Sequence, residues 1–109
     1  MELTRVEIFR AMNNQNVTNV KEAEGEILKP VAFHTHEYED SDGKTHNVLV
    51  IKDGKSGSLY KSETRNFINK FLAYDEAFGT LPDDEKPDIV ITIKESKKGN
   101  KYSNFDVVD

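Results

Sequence analysis

The segment from residue 88 to residue 109, DIVITIKESKKGNKYSNFDVVD, is the most informative stretch of this chain. Its first part, residues 89–94, is rich in β-branched side chains, and residues 102–108 alternate between polar and apolar ones. Both patterns are typical of β-strands. Residues 96–101 lie between them and contain a glycine and three lysines, as a hairpin turn does. The sequence therefore predicts a C-terminal β-hairpin with a basic tip.

A short helix is predicted at the N-terminal end of the chain. Thr4 and Glu7 have the spacing of a capping box, and Leu3 and Ile8 occupy the positions of a hydrophobic staple. The helix should end where a polar connector begins, over residues 13–19.

Three strands should follow this connector. Apolar and polar side chains alternate from Val31 onward, and Pro30 indicates a strand edge or a bulge. Clusters of Asp, Ser and Gly separate the strands as turns. The predicted strands cover residues 26–39, 46–52 and 58–61, and the turns cover residues 40–44 and 53–57.

A second helix is predicted between the third strand and the C-terminal hairpin. Ser62 or Thr64 can cap its start, and Gly79 is a natural stop. Aromatic side chains recur along it at helical spacing and should face the core. They are Phe67, Phe71, Tyr74 and Phe78.

The order of these elements predicts a single domain over residues 1–109, mainly β with two helices. Three strands, a helix and two more strands are the order of an OB-fold, a five-stranded Greek-key barrel with a helix between its third and fourth strands. The N-terminal helix is an addition to that barrel. A generic α+β sandwich, with the helix packed on an open sheet, is the alternative.

Composition excludes several classes of function. The chain has no cysteine, so disulfides and thiolate metal sites are excluded. No window approaches the roughly 18 apolar residues of a membrane span, and no signal peptide is recognisable, so a cytoplasmic location and no membrane partner are expected.

The net charge of −5 disfavours nucleic acid, but the charge is segregated. Residues 94–101 carry four lysines and one glutamate, whereas residues 75–88 carry six acids and one lysine.

The hairpin lysines are the candidate phosphate contacts. Lys94, Lys97, Lys98 and Lys101 surround Gly99 and precede Tyr102. Lysines with an aromatic ring beside them suit single-stranded nucleic acid, because ammonium groups neutralise phosphates and bases stack on rings. The alternative is a solvated hairpin tip that guards a sheet edge against aggregation.

Three tyrosines are candidate stacking platforms, because their neighbours in sequence are polar and each should face outwards. They are Tyr38, Tyr60 and Tyr102. Lys61, Arg65 and His36 complete the predicted nucleic-acid-binding set. Phe33 and Phe105, by contrast, should lie in the core.

Metal binding and catalysis are not predicted. His34 and His36 point the same way on a strand, but no third ligand at a diagnostic spacing accompanies them. No cofactor motif and no nucleophile constellation are recognisable. An enzyme is therefore not expected.

Three segments also carry a family resemblance: VEIFRAMN (residues 6–13), LVIKDGKSGSLYKSE (residues 49–63) and IKESKKGNKYSNFDVV (residues 93–108). They are similar to segments of the small single-stranded-DNA-binding proteins of bacteriophages, especially those of Gram-positive hosts. The resemblance implies an OB-fold that binds single-stranded DNA in phage replication or recombination, inside the host cytoplasm. It also implies replication proteins of host or phage as further partners. Monomer and dimer both stay open.

Two functions therefore compete. The leading hypothesis is non-enzymatic, sequence-tolerant binding of single-stranded DNA. The second is a protein–protein module, an acidic OB-like domain that mimics nucleic acid or inhibits a host factor.

Overall fold

The computed structural model describes residues 3–108, so both ends of the predicted domain lie outside the described residues. The described residues form two helices and seven strands, in the order α1 (Arg5–Met12), β1 (Val17–Asn19), β2 (Ile27–Leu28), β3 (Pro30–Glu39), β4 (Thr45–Asp53), β5 (Leu59–Ser62), α2 (Arg65–Phe78), β6 (Asp88–Glu95) and β7 (Lys101–Val108). Single 3₁₀ turns follow β1 and α2. Neither α1 nor α2 is long and apolar enough to cross a membrane.

The strands form two separate sheets. One has the order β1-β5-β4-β3 and the other has the order β2-β6-β7. Within residues 3–108, β1 and β5 pair in parallel and every other pairing is antiparallel. The mainly-β prediction with two helices is confirmed, as is the C-terminal hairpin.

The prediction of a closed five-stranded barrel is wrong. Closure would require β7 to pair with the free edge of β5, but within residues 3–108 β7 pairs with β6 alone. The edge of β5 is instead occupied by β1, which lies in the segment predicted to be a polar connector. Three residues of parallel strand carry too little periodicity to be recognised in sequence, and β1 was missed for that reason.

The long extended run predicted over residues 26–39 is divided between the two sheets. β2 pairs with β6, whereas β3 pairs with β4 and forms the edge of the larger sheet. The break falls at Lys29, and the register of β3 shifts between Pro30 and Ala32. The bulge and the edge position predicted from Pro30 are confirmed, because proline has no N–H to donate to a ladder.

The carboxylate of Asp53 holds this break in place. Asp53 is buried, and its Oδ1 accepts hydrogen bonds from the backbone N–H of Lys29 at 2.8 Å and of Lys55 at 3.2 Å. Its Oδ2 accepts from the hydroxyl of Ser56 at 2.8 Å and from the backbone N–H of Ser56 at 3.3 Å. One side chain therefore joins the β2–β3 break to the β4–β5 turn.

The next residue lets the two segments approach closely. The backbone N–H of Gly54 donates to the carbonyl of Lys29 at 2.8 Å. A Cβ at Gly54 would lie 2.5 Å from Cγ1 of Val31. Any other residue at this position would require the Val31 side chain to shift.

The main core lies between α2 and both sheets. The predicted aromatic stripe is confirmed, since Phe67, Phe71 and Tyr74 are buried and Phe78 packs against them. Phe105 of β7 meets Phe67 edge to face, with 5.0 Å between ring centroids. The stripe therefore fixes α2 against the second sheet as well as the first.

The predicted start of α2 is confirmed, but the predicted side-chain cap is not. Thr64 is the N-cap residue, but its hydroxyl makes no capping hydrogen bond and lies 3.4 Å from the hydroxyl of Ser103. The helix ends at Gly79, as predicted.

The opposite face of the larger sheet carries α1. The capping box is confirmed, with Thr4 Oγ1 accepting from the backbone N–H of Glu7 at 3.1 Å. Buried side chains of α1 and its flank join those of β3, β4 and β5 in a second cluster. Glu7 also makes an ion pair with Lys52 at 2.8 Å, which lowers the pKa of Glu7.

Truncating Phe71 tests the main core. Phe71 is 1% exposed, and its ring lies 5.2 Å from that of Phe33. We expect Phe71→Ala to lower the free energy of unfolding by about 3–5 kcal/mol, because the helix cannot collapse into the space left. Leu72→Ala, on the exposed side of α2, should cost about 0.5 kcal/mol or less. Equal losses in urea denaturation would contradict the assignment of the core.

Asp53 gives a pH-dependent prediction. Burial raises the pKa of Asp53, but the hydrogen bonds from Lys29, Ser56 and Lys55 outweigh it and hold the pKa below its ordinary value. Its stabilising effect is therefore present above the unfolded pKa of about 4 and is lost as the pH falls through the lower folded value. Asp53→Asn should lower the free energy of unfolding by about 1.5–3 kcal/mol at neutral pH.

The difference between wild type and Asp53→Asn should shrink below about pH 4, when wild type also loses the charge. Urea denaturation across a pH series measures this difference in the free energy of unfolding. The control is Asp42→Asn, on an exposed turn residue. A constant difference across the series, or an equal effect of the control, would show that the carboxylate does not hold the break.

Candidate nucleic-acid interface

The distal half of the C-terminal hairpin, residues 94–102, is here called the basic arm. Its turn is closed by two backbone hydrogen bonds, from Ser96 N–H to the carbonyl of Asn100 at 2.8 Å and from Gly99 N–H to the carbonyl of Ser96 at 2.9 Å. Gly99 has a φ of 81°, which a side chain would disfavour. The predicted glycine-bearing turn is confirmed.

Positive charge on the basic arm is unneutralised. Lys94, Lys97, Lys98 and Lys101 are all exposed. Four of the eight lysines outside the arm pair with carboxylates, and these are Lys29, Lys52, Lys55 and Lys86. None of the arm's ammonium groups is in an ion pair with a carboxylate of residues 3–108. The arm therefore keeps its charge available for a ligand.

The aromatic residue of the arm is Tyr102. It is half-buried and lies opposite Lys94 in the ladder. Successive side chains alternate across a sheet, so Tyr102 points away from the core face that buries Ser103 and Phe105. A ring and an ammonium group thus share the outer face of the arm.

The base of the arm is anchored to α2. The ammonium group of Lys70 donates to Oδ1 of Asn104 at 3.2 Å and to the carbonyl of Phe105. It also lies 5.1 Å from the centroid of the Phe105 ring. The arm therefore projects from a fixed base, and Lys70 is a supporting residue that the sequence pattern did not reveal.

Tyr60 is not a stacking platform, and this part of the prediction is wrong. It is 7% exposed and belongs to the main core. Its hydroxyl donates to Oε1 of Glu26 at 3.1 Å, and burial, with this bond, raises its pKa. The polar neighbours of Tyr60 in sequence were misleading, since its partner across the ladder is the buried Ile51.

Tyr38 does face outwards, at a different place. It is 42% exposed, and its ring stacks on that of His46 with 4.9 Å between centroids. Its hydroxyl donates to Oε1 of Glu63 at 2.7 Å, which raises the pKa of Tyr38. His46 Nε2 lies 2.7 Å from Oδ2 of Asp40, and this bond lowers the pKa of Asp40. Counting back from the predicted turn would have placed His46 opposite Tyr38.

His36 and Lys61 lie on the same sheet face as Tyr38. Burial lowers the pKa of His36, and the neighbouring His34 and Lys61 lower it further. The His34 and His36 rings are stacked with 5.6 Å between centroids. Lys61 donates to the side chain of Asn14, just beyond α1. The described part of the chain holds no group of three or more metal-ligating side chains.

Arg65 lies elsewhere, in a groove of about 600 Å³ between α2 and the strands β3 and β4, here called the polar groove. Its lining includes His36, Asn47, Arg65, Asn69 and Leu72. No residue of the basic arm lines it. The structure thus divides the predicted set between the basic arm and the β3–β4 side of the molecule. The two asparagines were missed because isolated polar residues carry no pattern.

Scans against protein-family models, curated proteins and solved structures found no match for this chain. The resemblance to phage single-stranded-DNA-binding proteins thus stays a prediction. Function must be inferred from the charges and side chains described above.

Proposed function

We propose that this protein binds single-stranded DNA without catalysis and with little preference for sequence. The observation that carries the proposal is the basic arm, where four exposed lysines have no carboxylate partner among residues 3–108 and Tyr102 shares a face with Lys94. Ammonium groups meet the phosphates, and a base stacks on the ring. Neither contact depends on the identity of the base.

The shape of the arm suits a single strand rather than a duplex. A hairpin tip presents a narrow edge, and Lys97 and Lys98 sit on the turn itself. Single strands are flexible enough to follow such an edge, and their unpaired bases are free to stack. Sequence reading in a duplex groove would instead need donors and acceptors held against base edges.

The polar groove offers a second contact region. Asn47 and Asn69 supply amide groups that can pair with base edges. Arg65 supplies a positive charge, although Glu37 and Glu63 line the same groove. Tyr38 is exposed and lines a second groove, which shares His36 and Glu63 with the polar groove. A strand of sufficient length would engage this region as well as the arm.

The net charge of −5 does not oppose the proposal. Internal ion pairs, such as those of Asp88 with Lys29 and Lys55, leave this total unchanged, so what matters is where the unpaired charges lie. Exposed charges further apart than a Debye length of about 8 Å are largely screened. The phosphates would therefore respond to the arm more than to the molecule's total charge.

We also propose that the fold is an opened variant of the OB-fold. The run of β2 and β3 pairs with β4 in one sheet and with β6 in the other, and α2 lies between β5 and β6. This order supports an opened variant of the OB-fold, with β1 in the place where closure would occur. The resemblance to phage proteins supports a role in phage DNA replication or recombination.

Removing lysines from the arm tests the electrostatic part. The triple variant Lys97→Ala, Lys98→Ala, Lys101→Ala should weaken binding to a fluorescent oligo-dT of about 30 nucleotides. It should also flatten the slope of log K against log salt by about two units, because three phosphate contacts are lost. Anisotropy titrations between about 50 and 200 mM salt measure both effects.

A matched pair of single substitutions, one in the arm and one in a similar turn elsewhere, serves as test and control. Lys98→Ala lies on the arm, and Lys44→Ala lies in the β3–β4 turn, where Gly43 also has a positive φ. Only the first should reduce the slope. Wild-type protein that fails to bind at micromolar concentration and low salt would defeat the proposal, and the protein–protein module would then be favoured.

Replacing Tyr102 tests stacking. Tyr102→Ala should weaken oligo-dT binding by about 1–3 kcal/mol, with the salt slope nearly unchanged, because no charge is removed. Tyr60→Phe should leave the affinity unchanged, since its hydroxyl serves the core contact with Glu26. Thermal unfolding of each variant separates lost binding from lost folding. Equal affinity of wild type and Tyr102→Ala would exclude Tyr102 from the site.

A further inference from the structure

The outer face of α1 is apolar, although it is exposed. Val6, Phe9 and Met12 are 56%, 64% and 54% exposed. Their spacing of three residues places them on one side of the helix. Arg5 and Arg10 flank them, and neither is in an ion pair with a carboxylate of the described residues.

A different face of α1 holds the helix on the sheet. Leu3, Ile8 and Ala11 already face the second core cluster. A surface helix of a monomer normally carries polar residues on its remaining face. Three large apolar side chains between two arginines are more typical of an interaction surface, where aromatic residues, methionine and arginine are enriched.

A surface of the opposite character follows α2. The acidic loop, residues 81–86, exposes Leu81 (38%) and Pro82 beside Asp84 and Glu85. Asp83 pairs with Lys86, but neither Asp84 nor Glu85 is in an ion pair with a lysine, arginine or histidine of residues 3–108. The loop therefore combines a small apolar centre with two unneutralised acids.

The two surfaces belong to opposite sides of the larger sheet. Along β4, Val48 and Val50 pack in the cluster that includes α1, whereas Leu49 and Ile51 pack in the one that includes α2. Alternate residues of a strand point to opposite faces. The outer face of α1 and the acidic loop after α2 thus cannot neutralise each other within one molecule.

We propose that the outer face of α1 docks on the acidic loop of a second copy of this chain. Phe9 and Met12 meet Leu81 and Pro82, and Arg5 and Arg10 meet Asp84 and Glu85. The contact joins two different surfaces, so it is heterologous, and each added copy leaves one free surface of each kind. Copies in the same orientation then present their basic arms at a repeating interval.

The contact does not depend on DNA, so its test is separate from that of the proposed function. Sedimentation velocity of the protein alone, over a concentration series at low salt, should show the average mass rising with concentration. Phe9→Ser should weaken association by about tenfold or more, as loss of a central aromatic contact does. Asp84→Lys with Glu85→Lys should have a similar effect.

A mixing experiment distinguishes the head-to-tail contact from other modes. Each variant alone should remain monomeric, because each lacks one of the two surfaces. An equimolar mixture should form a species of twice the monomer mass and nothing larger. The intact α1 of the charge-reversed variant can dock on the intact loop of Phe9→Ser, and the remaining surfaces are both defective.

The control is Ile27→Thr. Ile27 is an exposed apolar residue of β2 and belongs to neither of the two surfaces. It should associate like wild type, and circular dichroism should show all variants folded. Three outcomes would overturn the proposal. They are wild-type protein that stays monomeric, a charge-reversed loop that associates normally, and a mixture that gains no dimer.

Discussion

The structure depends on one buried carboxylate at the point where the chain passes from one sheet to the other. Asp53 accepts four hydrogen bonds, one from Lys29 at the break between β2 and β3 and three from the β4–β5 turn. A buried charge is stable only when its acceptor capacity is used, and here it is used by groups from two distant segments. The relative position of the two sheets follows from this side chain and from the close approach at Gly54.

The break also decides which surfaces are available. Because the extended run divides at Lys29, β3 stays at the edge of the larger sheet and β2 leads into the smaller one. α2 fills the space between the sheets with aromatic rings, while α1 covers the far face of the larger sheet. β7 pairs with β6 alone among the described strands, so the distal hairpin extends beyond the core as the basic arm.

The candidate site shows how a local sequence pattern can be right about charge and wrong about orientation. Lysines are exposed on almost any turn, so the four lysines of the arm could be placed without knowing the fold. A tyrosine has an apolar body and a polar tip and can lie on either side of a sheet. Tyr60 lies in the core because it shares with Ile51 the side of the sheet that α2 covers, whereas Tyr38 lies beside His46 near the turn between β3 and β4.

Elements whose signals are local can be predicted from the amino-acid sequence. The capping box of Thr4 and Glu7, the glycine-bearing turn at Gly99 and the aromatic stripe around Phe71 each depend on residues a few positions apart. Tertiary structure alone decided the parallel pairing of β1 with β5, the open arrangement of the sheets and the polar groove. These depend on pairing between segments far apart in the chain, and each alternative pairing uses the same local propensities. The choice among them is made by burial and by hydrogen bonds such as those of Asp53, which exist only once the chain is folded.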